Sequence, residues 1–268
     1  MPRCLIAGRA GITVRPLNHV PLLEFWHMTV SRRSLLALLI AATFACLSPA
    51  YAQEGKPNDA VVPVPRDANW MKRHDSFNER VKKGNVDLIF IGDSITQGWE
   101  GAGKKVWEEF YGKRNAVNLG IGGDRTQHVL WRLENGNIDG IKPKLAVLMI
   151  GTNNSGSNTS EQIAEGVTAI VEKLRKQLPE TKVLVLGIFP RGADKNDARR
   201  KVNEGANKLI KKLADDKTVF YLDIGPNFLA EDGTLSKEVM PDLLHLNEKS
   251  YRTWAESIEP KVKELLGE

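Results

Sequence analysis

Five short runs of aliphatic and β-branched residues, at 87–92, 116–119, 145–150, 182–188 and 218–222, decide the fold class of this chain. The runs are nearly continuous rather than alternating, a pattern that strands need only when both faces of their sheet are covered, so the sheet they form is parallel. Between them, residues 106–111, 126–134, 160–178 and 197–214 place apolar side chains every three or four positions, and 248–266 closes the chain in the same way. That spacing is the helical period. Strand and helix alternating over five strands predict an α/β protein, a three-layer α/β/α sandwich with right-handed crossovers. No internal repeat and no second domain is visible. With 41% hydrophobic and 26% charged residues over 268 positions, the chain has enough apolar material for a core, which excludes disorder, collagen and a multi-span membrane protein.

Residues 1–52 read as an address rather than as fold. Arg32 and Arg33 precede an apolar run at 35–47, and Ala50-Tyr51-Ala52 supplies a small-x-small cleavage pattern. The expectation is a signal peptide beginning at Met28 and cleaved after Ala52, with export to the periplasm or beyond. The apolar run is shorter than the roughly 20 residues that cross a bilayer, so no stable membrane span is expected after cleavage, an uncleaved anchor being the alternative. The formal charge of +5 invites a nucleic-acid reading, but five of the 38 basic residues and only one of the 33 acidic ones lie in this segment. The remainder is close to neutral, and no nucleic-acid partner is expected. Both cysteines, Cys4 and Cys46, also fall there, so the mature chain has no thiol for a disulfide, a metal or a nucleophile. No cofactor and no metal is predicted. Residues 53–69, polar and carrying Pro57, Pro63 and Pro65, read as an extended arm on the surface, and 70–268 as the domain.

In an open parallel sheet the ligand site lies outside the carboxyl ends of the strands. Three of the loops at that edge carry polar residues that a plain connection does not require: Gly92-Asp93-Ser94, the stretch 118–124 with Gly120, Gly122 and Gly123, and Gly151-Thr152-Asn153-Asn154. The mature chain has three histidines, His74, His128 and His245. Asp242 precedes His245 by three residues, which in a helical turn points both side chains the same way and lets the carboxylate hold one ring nitrogen while the other faces a nucleophile. An isolated pair of this kind is more often a capped turn with a surface histidine. Ser94, at a strand-to-helix turn, could equally be a cap, the glycines ordinary turn residues and Asn153 a loop cap. Their joint arrival at one edge of one sheet favours acyl transfer, which needs a nucleophile, a base and donors for an oxyanion. Asp93 is read as fixing the turn, His128 as a packing or surface residue and His74 as a surface residue. Trp99, Trp107 and Trp131 are read as core, with lining of the pocket as the alternative.

Residues Phe90-Ile91-Gly92-Asp93-Ser94-Ile95, the 118–124 stretch, Gly151-Thr152-Asn153 and the Asp242 to His245 turn resemble the four sequence blocks of the GDSL, or SGNH, hydrolases. The stretch 120–136, with 141–144 and 186–192, looks most like the catalytic subunits of intracellular platelet-activating-factor acetylhydrolase. The resemblance covers roughly 70–266 and implies a flavodoxin-like sandwich and a metal-independent serine esterase. Carried over by motif, Ser94 is the nucleophile, His245 the general base and then acid, and Asp242 the residue that orients it. Ser94 N–H, Gly123 N–H and Asn153 form the oxyanion hole, with Gly120 or Gly122 as alternatives to Gly123. Asn154 departs from the broad family, where many members have Asp, which leaves its hydrogen-bonding role open.

The expected substrate is a small ester: the lack of an insertion long enough to form a lid and of a large aromatic cluster for a lipid tail favours a short acyl group, and the resemblance implies acetyl, with an acetylated sugar or lipid fitting. The resemblance suggests a homodimer. A thioesterase or arylesterase on the same site and a non-catalytic carbohydrate- or lipid-binding module are the alternatives. A dinucleotide site fails because Arg125 stands where the third glycine of a Gly120-Ile121-Gly122 motif would be required.

Overall fold

The computed structural model describes residues 57–268; the signal segment, its Met28 start, the cleavage point after Ala52 and both cysteines lie outside the described residues. The five expected strands form, as β1 (Leu88–Gly92), β2 (Ala116–Gly120), β3 (Leu145–Met149), β4 (Lys182–Leu186) and β5 (Val219–Leu222). All neighbouring pairs are parallel, in the flavodoxin-like order β2-β1-β3-β4-β5. The chain order reverses at β1, so the crevice beyond its carboxyl end is where a site belongs.

Helices α1 (Ala68–Lys82), α2 (Ser94–Gln97), α3 (Lys104–Phe110), α4 (Thr126–Glu134), α5 (Ser160–Gln177), α6 (Ala198–Ile210) and α7 (Glu248–Leu266) complete the fold. Alternate strand residues feed two cores. Ile89, Ile91, Ala146, Leu148, Val183 and Val185 pack with α1, α4, α5 and α6 on one face. Leu88, Phe90, Leu145, Val147, Leu184 and Leu186 pack with α3 and α7 on the other, making the three layers. Trp99 is buried in the second core, and Trp107 and Trp131 are partly buried against the two cores. No helix among the described residues is long and apolar enough to cross a membrane.

Helix α1 is absent from the sequence reading. It buries only Trp70, His74, Phe77 and Val81, one of them a histidine, in an otherwise polar stretch, and its helical spacing is thin as a result. Asp67 caps it by accepting the amides of Asn69 and Trp70. Ahead of it, residues 57–67 are bonded onto the domain rather than merely lying along it. Asp59–Val61 form a 3-10 turn, the Ala60 carbonyl accepts Thr126 Oγ1–H at 2.8 Å, and Asn158 Nδ2 donates to Asp59 Oδ1 at 2.6 Å.

Candidate active site

At the end of β1 the chain turns at once into α2. The buried Asp93 is the N-cap, its Oδ1 accepting the Ile95 amide at 2.9 Å, as the sequence predicts. Ser94 becomes the first residue of the helix, where its own amide has no intrahelical acceptor. Gly92 permits the sharp exit: a Cβ there would stand 2.5 Å from the Met149 carbonyl oxygen. Burial above all pushes the Asp93 carboxyl up to about 7, and the nearby Asp124 adds to it against the Ile95 hydrogen bond and His245.

The turn before α7 delivers the histidine. Asp242 Oδ1 accepts the amides of Leu244 and His245 at 3.1 and 2.7 Å, and Oδ2 faces His245 Nδ1 at 2.6 Å. Leu243 sits at φ 60° to make this turn, and its carbonyl accepts the Gly192 amide at 2.9 Å, tying the turn to the segment after β4. Burial raises the Asp242 carboxyl, but the amide and imidazole of His245 outweigh it and hold the group below its ordinary value. With Nδ1–H donated to a carboxylate, Nε2 is an acceptor. Ser94 Oγ lies 2.8 Å from it, across 151 residues of sequence. His245 and Asp242 keep 44% and 56% of their side-chain surface exposed, so the site opens directly to solvent.

The turn 120–124 separates the three glycines. The Gly120 amide donates to Asn118 Oδ1 at 2.9 Å and the Gly122 amide to Gln97 Oε1 at 2.7 Å, while Ile121 and Asp124 donate to the carbonyls of Gly92 and Ile121. Gly123, at φ 77°, is the one member whose amide has no partner among the described residues. Three side chains grip the carbonyls of the same turn. Arg73 donates twice to Gly120, Arg66 once to Gly122, and Asn153 Nδ2 once to Asp124 at 2.9 Å. Asn153 retains a second N–H.

Beneath the turn, Asp124 accepts Arg132 Nε at 2.9 Å and Trp70 Nε1 at 2.6 Å, with Arg132 fully buried. Burial raises the Asp124 carboxyl despite these partners. Asn154 is also buried. It accepts the Thr126 amide and donates to Gln127, Asn158 and the Thr126 hydroxyl, so this position does carry hydrogen bonds and fastens the Asn153 loop to α4.

His74 overturns the surface reading: it is buried, stacked on Trp70 and bonded to Asn78 and Asn137. His128 is half-buried, its Nδ1 accepting the Arg125 amide at the start of α4. Burial first, then Arg66, Arg125 and Arg132, depress it to about 4. Sequence reasoning missed Arg66, Arg73, Gln97 and Arg132. Arg66, Arg73 and Gln97 reach the turn from separate segments and Arg132 from the helix that follows it, and no local pattern marks them. No group of three or more His, Cys, Asp or Glu among the described residues is arranged to hold a metal ion.

Comparison with known proteins agrees with this architecture. Residues 90–253 match the model of the GDSL-like Lipase/Acylhydrolase family. Platelet-activating factor acetylhydrolase IB subunit alpha1 of Homo sapiens is 39% identical over 220 residues, covering 80% of this chain and 94% of that protein. Among solved structures, a GDSL-like lipase from Bacteroides thetaiotaomicron superposes with a TM-score of 0.56 at 20% identity, over 72% of this chain and 97% of its own. An acetyl xylan esterase, AlAXEase, does so with a TM-score of 0.54 at 25% identity, over 66% and 100%. Fold, site and relatives together define a carboxylic ester hydrolase built on a three-layer α/β/α sandwich. Within that class, the chain belongs to the GDSL-like lipase/acylhydrolase family.

Proposed function

We propose that this protein hydrolyses short-chain esters, acetyl esters foremost, through a covalent acyl-enzyme on Ser94. The observation that carries the reading is the unbroken run of contacts from Asp242 Oδ2 through His245 to Ser94 Oγ, 2.6 and 2.8 Å, beside the partnerless Gly123 amide. As Ser94 Oγ attacks the ester carbonyl, its proton passes to His245 Nε2, and Asp242 stabilises the resulting imidazolium through Nδ1–H. Charge collects on the former carbonyl oxygen, which Ser94 N–H, Gly123 N–H and the second N–H of Asn153 receive. Collapse of this intermediate expels the alcohol, which takes the proton from Nε2. Water then repeats the sequence, with His245 as base, and releases the acid.

The acetyl preference is supported by two relatives, whose names describe an acetylhydrolase and an acetyl xylan esterase. The sequence reading adds export after cleavage at Ala52, which amino-terminal sequencing of protein recovered outside the cytoplasm tests, Gln53 being the expected first residue.

The test of the chemistry is hydrolysis of p-nitrophenyl esters from acetyl to octanoyl, with Ser94→Ala as the paired control. We expect the highest rate on acetate and a loss of about 10³-fold or more in the variant. A folded Ser94→Ala protein with full activity would overturn the assignment.

A further inference from the structure

The peptide unit joining Gly122 to Gly123 presents, at its nitrogen, the amide proposed to receive the oxyanion. At its other end is the Gly122 carbonyl, whose hydrogen bond comes from the segment ahead of α1. Arg66 Nη1 donates to that oxygen at 2.7 Å. The guanidinium is only partly neutralised: Nη1 stands 3.4 Å from Asp124 Oδ1, and that carboxylate is already engaged by Arg132 and Trp70. It lies over the glycine itself, with Nη1 and Nη2 3.1 and 3.2 Å from where a Cβ on Gly123 would stand.

A cation bonded to the oxygen of an amide draws electron density through the C–N bond and makes the N–H at the other end a stronger donor. It also fixes the plane of the peptide before charge develops, so the donor need not reorient during reaction. The other backbone donor lacks this support, since the carbonyl of the Asp93–Ser94 peptide accepts only the neutral Gln97 amide at 2.8 Å. We infer that Arg66 is a positioning residue for ester hydrolysis, acting through the Gly122–Gly123 peptide to orient and polarise the Gly123 N–H. This rests on the reading of Gly123 as an oxyanion donor. Because the negative charge is fully developed only beyond the ground state, the effect belongs to kcat and not to KM.

The experiment is steady-state hydrolysis of p-nitrophenyl acetate by the full chain carrying Arg66→Ala. The expected result is a fall in kcat of about tenfold with KM within about twofold of the parent. The pH midpoint of kcat stays in place, because the Asp242 and His245 contacts are untouched. Guanidinium chloride at low-millimolar, non-denaturing concentration, against matched sodium chloride, restores part of the lost kcat in Arg66→Ala and none in Ser94→Ala. Arg66→Lys, which keeps the charge but not the planar fork, gives a kcat between the two and is the deciding variant if circular dichroism shows that Arg66→Ala has lost its fold.

Parental kcat in a folded Arg66→Ala or in Arg66→Lys, a loss confined to KM, or the absence of guanidinium recovery in folded Arg66→Ala overturns the inference. An active Ser94→Ala would instead defeat the functional reading beneath it. An inactive Ser94→Ala beside a fully active Arg66→Ala would defeat this inference alone.

Discussion

Asp93 separates two properties that one residue can have, one visible in a sequence and one not. That its carboxylate fixes the turn follows from an Asp placed between a strand and a helix, and Oδ1 does accept the Ile95 amide. That the rest of the group is sealed from water, with Oδ2 lacking any hydrogen-bond partner in the described structure, depends on what distant segments bring near it, Asp124, His245 and Tyr251 among them. The consequence is measurable. In the fold this carboxyl keeps its proton up to about pH 7, whereas the unfolded chain releases it near 3.8. Between those values the native state binds more protons than the unfolded state, so raising the pH through this window removes stability, about 4 kcal/mol at most. Asp93→Asn keeps an oxygen for the Ile95 amide and cannot ionise. Its Tm relative to the parent is therefore expected to be higher at pH 8 than at pH 5. An equal Tm difference at both values would show that Asp93 does not carry the proton.

The helices differ in how plainly they announce themselves. Helix α5 has seven buried residues in register and a capping box of Thr159 and Gln162, and its start at Ser160 is readable directly. Helix α1 buries four residues and was not legible, because the surfaces that make Trp70 and His74 interior belong to α4 and its following loop. Helix α4 itself was legible in extent, but the function of its third residue was not. His128 occupies the position where a Glu or Gln would complete a capping box, and does that work with a ring nitrogen. Burial, then Arg66, Arg125 and Arg132, hold it near 4, below the 6.5 of a free imidazole. Here the sign is the reverse of that for Asp93. Between pH 6.5 and 4 the unfolded state binds the proton and the native state does not, so lowering the pH through this window removes stability, about 3 kcal/mol at most. His128→Gln preserves the cap without a titrating group. Urea unfolding should show the variant gaining on the parent between pH 7 and pH 4.5; a parent and variant that fall together on acidification would remove His128 from the account.

Over the whole molecule, the five strands, their parallel pairing and the edge that holds the chemistry were legible because strand hydrophobicity and sheet geometry are nearly local facts. The clamps on the turn at 120–124 were not, since Arg66, Arg73, Gln97 and Asn153 reach it from four separate segments. The same convergence gives the domain two titrating groups on either side of that turn, Asp93 buried and His128 half-buried, with opposite pH responses in one window. From about pH 4 to 6.5, rising pH weakens the fold through Asp93 and strengthens it through His128. Neither group is among the principal perturbers of the other, so their effects add. Across this range the two contributions therefore offset each other, and each conceals the other. Relative to the parent, Asp93→Asn gains stability as the pH rises, His128→Gln loses it, and the double variant shifts by the sum of the two. Urea unfolding of the four proteins at pH 4.5, 5.5 and 6.5 reads this cycle directly, with every other carboxylate common to all four and cancelling from the differences. Two single variants that tilt in the same direction, or a double variant steeper than either, would mean that the groups are coupled through the turn and that their titrations belong to the pair.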